Sequence, residues 1–205
     1  MKIKKPFSSL KTALWLCAAA FLLAVVIYPE IFLQRGISFA NWDDYLIDYQ
    51  STFMITGFFY QGGIQLWDYF GQVPHAFLWV THGMFRLPNL LTSAAYILLS
   101  PFTDNSAQFF DRVFSIVYIG SLMGIRVMGI FLLLKRLTED KWILRVCPVI
   151  FAIFFSPGFM FGTYYQSFFP LLMYFILSFF LTGRPLYLGL TALFMIFLFV
   201  CVLLL

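Results

Sequence analysis

Residues 113–134 read VFSIVYIGSLMGIRVMGIFLLL and run directly into Lys135 and Arg136, with Lys141 and Arg145 shortly after. A long apolar run closed by a basic cluster is the signature of a helix crossing a bilayer with its last turn at the cytoplasmic face. Working outward, the same grammar repeats. Upstream, an apolar run from Thr12 to Tyr28 follows Lys2, Lys4, Lys5 and Lys11. Downstream come Val146 to Tyr164, then Phe168 to Leu181, then Arg184, then Leu186 to Leu205.

Composition agrees. The chain has 205 residues, of which 62% are hydrophobic and 11% charged; a water-soluble domain carries roughly 25% charge. That excludes a soluble fold, and 28 Phe, 11 Tyr and 5 Trp exclude disorder. The net charge of +4 does not describe a nucleic-acid surface, because most of the Lys and Arg flank apolar runs and so report topology. Cys17, Cys147 and Cys201 lie in or beside apolar runs with no second Cys or His at ligand spacing. They read as small buried hydrophobes, neither a disulfide framework nor a zinc site.

The expected fold is all-α: a polytopic membrane helix bundle of about five transmembrane helices. The first run lacks a small-x-small cleavage site, since Ile27-Tyr28-Pro29-Glu30 does not fit one, and Leu14-Trp15-Leu16-Cys17 is not a lipobox. It reads as an uncleaved span. Residues 1–28 then form the cytoplasmic start and first span, 29–112 a long external segment, and 113–205 four further spans. The external segment holds the acids Glu30, Asp43, Asp44, Asp48, Asp68, Asp104 and Asp111 against only Arg35, Arg86 and Arg112. Its acidity, with 135–145 and Arg184 inside and the turn near Gln166 outside, satisfies the positive-inside rule in one orientation, with the N-terminus cytoplasmic. The last run ends at Val202-Leu203-Leu204-Leu205 without a polar tail. The expectation is therefore a truncated or partial chain, or a very small relative of a larger protein.

Within 29–112, Asn41-Trp42-Asp43-Asp44 begins like a helix, with a capping residue and two acids in the first turn. Leu46, Tyr49 and Phe53 share one face at helical spacing, and Asp44, Asp48 and Thr52 another. Gly62-Gly63 breaks the pattern, and residues 64–74 form an aromatic loop suited to the headgroup level. His75 to Leu99 is apolar but interrupted by His82, Arg86, Pro88 and Asn89. Two amphipathic helices lying in the outer interface are expected there; a sixth span near Leu87 to Leu99 is the competing reading.

Asp43 and Asp44 carry the strongest chemical suggestion. A carboxylate at the outer membrane face can act as general base on a hydroxyl, or hold a divalent cation against a lipid phosphate; the plainer alternative is that they only cap a helix. Arg126 lies inside a span, where a charge is costly and marks function by default, although nine residues from Lys135 it can also snorkel. Arg86 could grip a phosphate bidentately or simply anchor at the headgroups. His75 and His82 are seven apart but flanked by Pro74 and Gly83, which disfavour a continuous helix there, so a metal pair is not expected, and Gly120-x-x-x-Gly124 suggests close helix packing. No phosphate loop, zinc helix motif or nucleophile elbow is present.

The order Trp42-Asp43-Asp44, Asp48, Gln50, then Gly62-Gly63-Ile64-Gln65-Leu66-Trp67-Asp68, Gly71-Gln72-Val73-Pro74 and Arg86-Leu87-Pro88-Asn89-Leu90-Leu91 resembles the start of the polytopic GT-C-fold glycosyltransferases, especially the bacterial YfhO-type membrane proteins. The likeness covers roughly residues 10 to 135. It implies transfer of a sugar from a polyprenyl-phosphate donor on the outer face of the bacterial cell membrane. An acid of the first external loop would be the base: Asp44, with Asp43 as the near alternative. Asp48, Arg86 and Arg126 would bind substrate, with no organic cofactor and room for a divalent cation. Asp68 departs from the family's usual Asn, and about five spans are far fewer than these enzymes possess. A chain of this length would lack most of the donor cavity and would need a partner subunit to complete the bundle. The alternatives are a non-catalytic accessory or scaffold membrane protein, and a transporter or flippase. For the last, the final three apolar runs are poor in polar groups and no internal repeat appears.

Overall fold

The structure, a computed structural model, describes residues 6–27, 29, 49, 52–53, 55–57, 87–103, 107–154 and 163–203. These residues are almost entirely helical and include no strand. The helices are α1 (Pro6–Ile27), α2 (Leu87–Leu99) with a 3-10 turn at Ser100–Phe102, α3 (Ala107–Val113), α4 (Ile119–Leu137), α5 (Lys141–Phe154), α6 (Thr163–Thr182) and α7 (Pro185–Leu203). A π-helical turn, Phe114–Tyr118, joins α3 to α4. The result is one 30-residue helical segment, Gln108–Leu137, the one helix among the described residues long and apolar enough to cross a membrane. Four shorter apolar helices accompany it: Lys11–Ile27, Leu87–Phe102, Ser167–Thr182 and Pro185–Met195. The chain falls into two units, one of Met1–Ile27 with Leu122–Leu205 and one of Tyr28–Ser121.

In the first unit, three pairs fix the relation of α4 to α6. Arg126 bonds Ser167, Gly129 lies against Leu171, and Arg136 sits over Tyr174. The paired numbers rise together, so α4 and α6 run parallel. Parallel helices that follow one another need a return element between them, and α5 is that element. It starts after a turn of only three residues, Thr138–Asp140. The Asp140 carboxylate caps it by accepting from the Trp142 and Ile143 N–H groups at 2.7 and 3.3 Å. The basic cluster 135–145 therefore belongs mostly to two helix ends and not to a loop. The expected turn near Gln166 is also corrected, because Gln166 lies inside α6. At the far end of α6, Gly183 takes the left-handed conformation (φ 64°) that only glycine adopts without strain. Its N–H closes the helix on Phe179 O at 2.7 Å. Pro185 then opens α7 at a position whose N–H would be unpaired anyway. The resulting α6–α7 hairpin is tied by Tyr174 against Tyr187 and by Phe168 and Phe175 against Phe194.

A Cβ at Gly124 would meet nothing within 4 Å, whereas one at Gly129 would stand 2.7 Å from the Leu171 backbone N. Gly129, outside the Gly120-x-x-x-Gly124 pattern, is where the helices come close. Cys17 donates its S–H to Gly124 O at 3.5 Å, bringing α1 beside α4, and α1 also packs on α5. The buried seam of α1 is Ala13, Leu16, Ala20 and Ala24, while Trp15, Leu22 and Val26 are exposed.

The second unit carries that inversion further. In α2 the buried residues are Pro88, Asn89, Thr92 and Ser93, while Leu87, Leu90, Leu91, Leu98 and Leu99 face out. The helix is amphipathic as expected, with the polar face inward. At about 1.5 Å per residue its 13 residues span about 20 Å, short of a hydrocarbon core of about 30 Å. The same reversal holds at residues 52–53, where Thr52 is fully buried and Phe53 half-exposed.

Candidate functional site

Of the expected site residues, Asp43, Asp44, Asp48 and Arg86 lie outside the described residues, as do His75, His82 and Asp68. Arg126 is described. It is buried to 3% exposure, and its Nη2 donates to Ser167 Oγ at 3.0 Å. A charged hydrogen bond of this kind contributes about 1.5–3 kcal/mol. It holds the guanidinium inside the α4–α6 seam, one helical turn before the Gly129 crossing that lets the two backbones approach closely enough.

The described polar constellation in the second unit centres on Asp111. Tyr49 donates its hydroxyl to Asp111 Oδ1 at 2.5 Å. Burial, and next the adjacent Asp111 carboxylate, push the Tyr49 phenol well above its ordinary range. Tyr49 therefore keeps its proton and acts as a donor, not a base. Its ring is held edge-on against Phe110 and Phe114, at 5.2 Å from each centroid. Phe110 also receives Phe53 at 5.4 Å and Tyr96 at 5.1 Å, and Phe114 stacks on Tyr118 at 4.6 Å. Phe110, Phe114 and Tyr118 repeat every four residues, so one helix face supplies the floor of an aromatic box. The π turn lies in the middle of that face, and Ser115 inside it donates to Asp111 O at 2.8 Å.

Beside the box is a small hydroxyl cluster. Thr56 donates to Thr52 O at 2.7 Å. Ser93 Oγ lies 3.0 Å from Thr56 Oγ1 and donates to Thr52 O at 3.3 Å. Thr92 bonds back to Pro88 O at 2.7 Å. This cluster joins the helical residues Thr52 and Thr56 to α2.

Asp111 does not stand out in the sequence because the apolar run begins at Val113 and leaves Asp111 in the acidic segment before it. The helix in fact already runs through it. The signal is positional: Asp111 stands about one helical turn ahead of Phe114, with Phe110 before it and no Gly or Pro between them to break a helix. Among the described residues, no three His, Cys, Asp or Glu side chains come together as a metal site. No protein-family model, no curated protein and no solved structure matches the chain.

Proposed function

We propose that the chain is a polytopic membrane protein of about five spans with a cytoplasmic N-terminus, whose external segment serves sugar transfer from a polyprenyl-phosphate donor. The observation that supports embedding is the inversion in α1 and α2. Leucines and a tryptophan face out while Asn, Thr, Ser and Ala face in. In water that arrangement sacrifices burial of apolar surface. In lipid the outward leucines are at home, and small or hydrogen-bonding residues are what helices use to associate.

What supports the chemistry is the order of motifs in residues 42–91, which resembles that of the GT-C glycosyltransferases. In this reading Asp44, or Asp43 beside it, takes the proton of an acceptor hydroxyl as its oxygen attacks the anomeric carbon and the polyprenyl phosphate departs. Asp48, Arg86 and Arg126 bind the substrate, with a divalent cation as the one inorganic helper the acids would accept. Membrane lipids, the lipid-linked sugar and a subunit completing the bundle are the partners. Arg126 favours a second reading, a non-catalytic accessory subunit, because its guanidinium is buried in the α4–α6 seam and bonds Ser167 of the neighbouring helix.

Asp43→Asn and Asp44→Asn, each assayed in membranes for transfer from a polyprenyl-phosphate sugar, separate these. Loss of transfer at normal expression in either variant supports the enzyme. Near-full activity in both makes the acids structural and leaves the accessory reading.

A further inference from the structure

At one end of the first unit, α4 closes with Lys135 and Arg136, α5 opens with Lys141 and carries Arg145 one turn on, and the α6–α7 turn contributes Arg184. The α4 end and the α6–α7 turn are in contact. Arg136 Nη2 donates to the Tyr187 hydroxyl at 3.3 Å, and the Tyr187 N–H bonds Arg184 O at 3.1 Å. Tyr174 and Tyr187 also flank the Arg136 guanidinium, with ring centroids 5.5 and 6.0 Å from Cζ. The two rings meet edge to face.

Two acids lie nearby, Glu139 and Asp140, and Asp140 is occupied in capping α5. Lys135, Lys141, Arg145 and Arg184 are all exposed, and among the described residues none of the five cations is in an ion pair with them. Trp142, 78% exposed beside Lys141, is the kind of ring that sits at headgroup depth. A guanidinium has five donors in a planar fork, and Arg136 uses one of them on Tyr187. The aromatic walls have already removed much of its rotamer freedom, so an anion binding there has less ordering to pay for.

We propose that this end of the first unit is a binding site for the phosphate of an anionic phospholipid headgroup, with Arg136 as its fixed centre and Lys141 and Arg184 as its flexible arms. Charge complementarity selects the ligand, and a lipid supplies it where the basic ends of apolar helices and an exposed tryptophan reach the headgroup layer. The proposal rests on the membrane reading above. That reading is tested separately by alkaline carbonate extraction of the full chain from membranes, and release into the supernatant would overturn both.

The deciding experiment measures the thermal unfolding midpoint of the purified full chain in neutral detergent micelles. The additions are phosphatidylglycerol, phosphatidylcholine, or inorganic phosphate at matched ionic strength. Phosphatidylglycerol should raise the midpoint by about 2–4 °C, as a ligand that binds only the folded state does, and the other two additions should not. Arg136→Gln should weaken the response about tenfold in lipid concentration, as loss of a bidentate guanidinium does. Lys141→Gln and Arg184→Gln, at exposed positions, should each weaken it while leaving the lipid-free midpoint unchanged, which covers the case that Arg136→Gln unfolds. An equal response to inorganic phosphate would make this a free-anion site and overturn the lipid assignment. An unaltered phosphatidylglycerol response in the Lys141 and Arg184 variants would overturn the site.

Discussion

The two units bury polarity in different ways. Among the described residues, the first buries one charge, Arg126, in the α4–α6 seam that Gly129 makes narrow, and α1 presents alanines at its own buried seam. Its helices approach because side chains are missing, and one charged bond is inserted where the space allows. The second buries a set of hydroxyls and an amide, with a half-buried Tyr–Asp pair held among aromatic rings beside them. Its helices approach through side chains that bond one another. Close-packed seams tolerate no added volume and little care about pH; bonded interiors tolerate volume better and are sensitive to loss of a donor. Each unit should therefore break under a different kind of substitution.

The sharpest break is expected at Gly129. Gly129→Leu places a Cβ 2.7 Å from the Leu171 backbone N, and backbone cannot step aside as a side-chain tip can. Destabilisation of about 3 kcal/mol or more is expected, seen as a lowered unfolding midpoint of the purified chain. Gly124→Ala is the paired control. With nothing within 4 Å it should be neutral, or stabilising by up to about 1 kcal/mol from helix propensity. Equal damage at both glycines would remove the close-packed description of the first unit.

The all-helical character and the apolar runs were legible in the sequence because periodicity and length are local properties. The α4–α5 turn and the α6–α7 hairpin were placed to within a few residues by their charges, Lys135 to Arg145 and Arg184. Gly129 was not legible. A glycine's role depends on which neighbour passes over it, and the Gly-x-x-x-Gly spacing drew attention to Gly124. The inward polar face of α2 was also missed, because hydrophobic periodicity reports that a helix has two faces and is silent on which one meets the solvent. Asp111 was hidden for a different reason: a span drawn from apolar residues alone starts after its last charge. Of the acids expected to do chemistry, Asp43, Asp44 and Asp48 lie outside the described residues.

The next effect in size belongs to the second unit. Tyr49→Phe keeps the ring in its box but leaves the Asp111 carboxylate without that donor, at a cost of about 1.5–2 kcal/mol near neutral pH. The pH dependence has a definite sign. The phenol is held above its ordinary value of 10.0 in the folded chain, so its contribution is complete below about pH 10 and declines as the pH rises beyond that. Wild type and Tyr49→Phe should therefore converge in stability on the alkaline side. A constant gap up to the highest pH at which the chain remains folded would show that the loss comes from packing and not from the bond.

The smallest effect is expected at Ser93, where a buried hydroxyl is removed and little is left unsatisfied. Ser93 Oγ bridges α2 to Thr52 and Thr56, yet Thr56 still has the Thr52 carbonyl at 2.7 Å, so its donor and that acceptor continue to satisfy each other. The penalty for an unmade buried hydrogen bond falls on orphaned partners, and here neither partner is orphaned. Ser93→Ala should cost about 1 kcal/mol or less, whereas Thr56→Val, which removes the nearer of two donors from the Thr52 carbonyl and the hydroxyl neighbour of Ser93 together, should cost more. Unfolding midpoints of the two variants, measured side by side, test the order. If Ser93→Ala proves the more damaging, the bond between α2 and the helical residues Thr52 and Thr56 is the essential one. The hydroxyl cluster would then be a tie between helices and not a local satisfaction of one helix's own carbonyl.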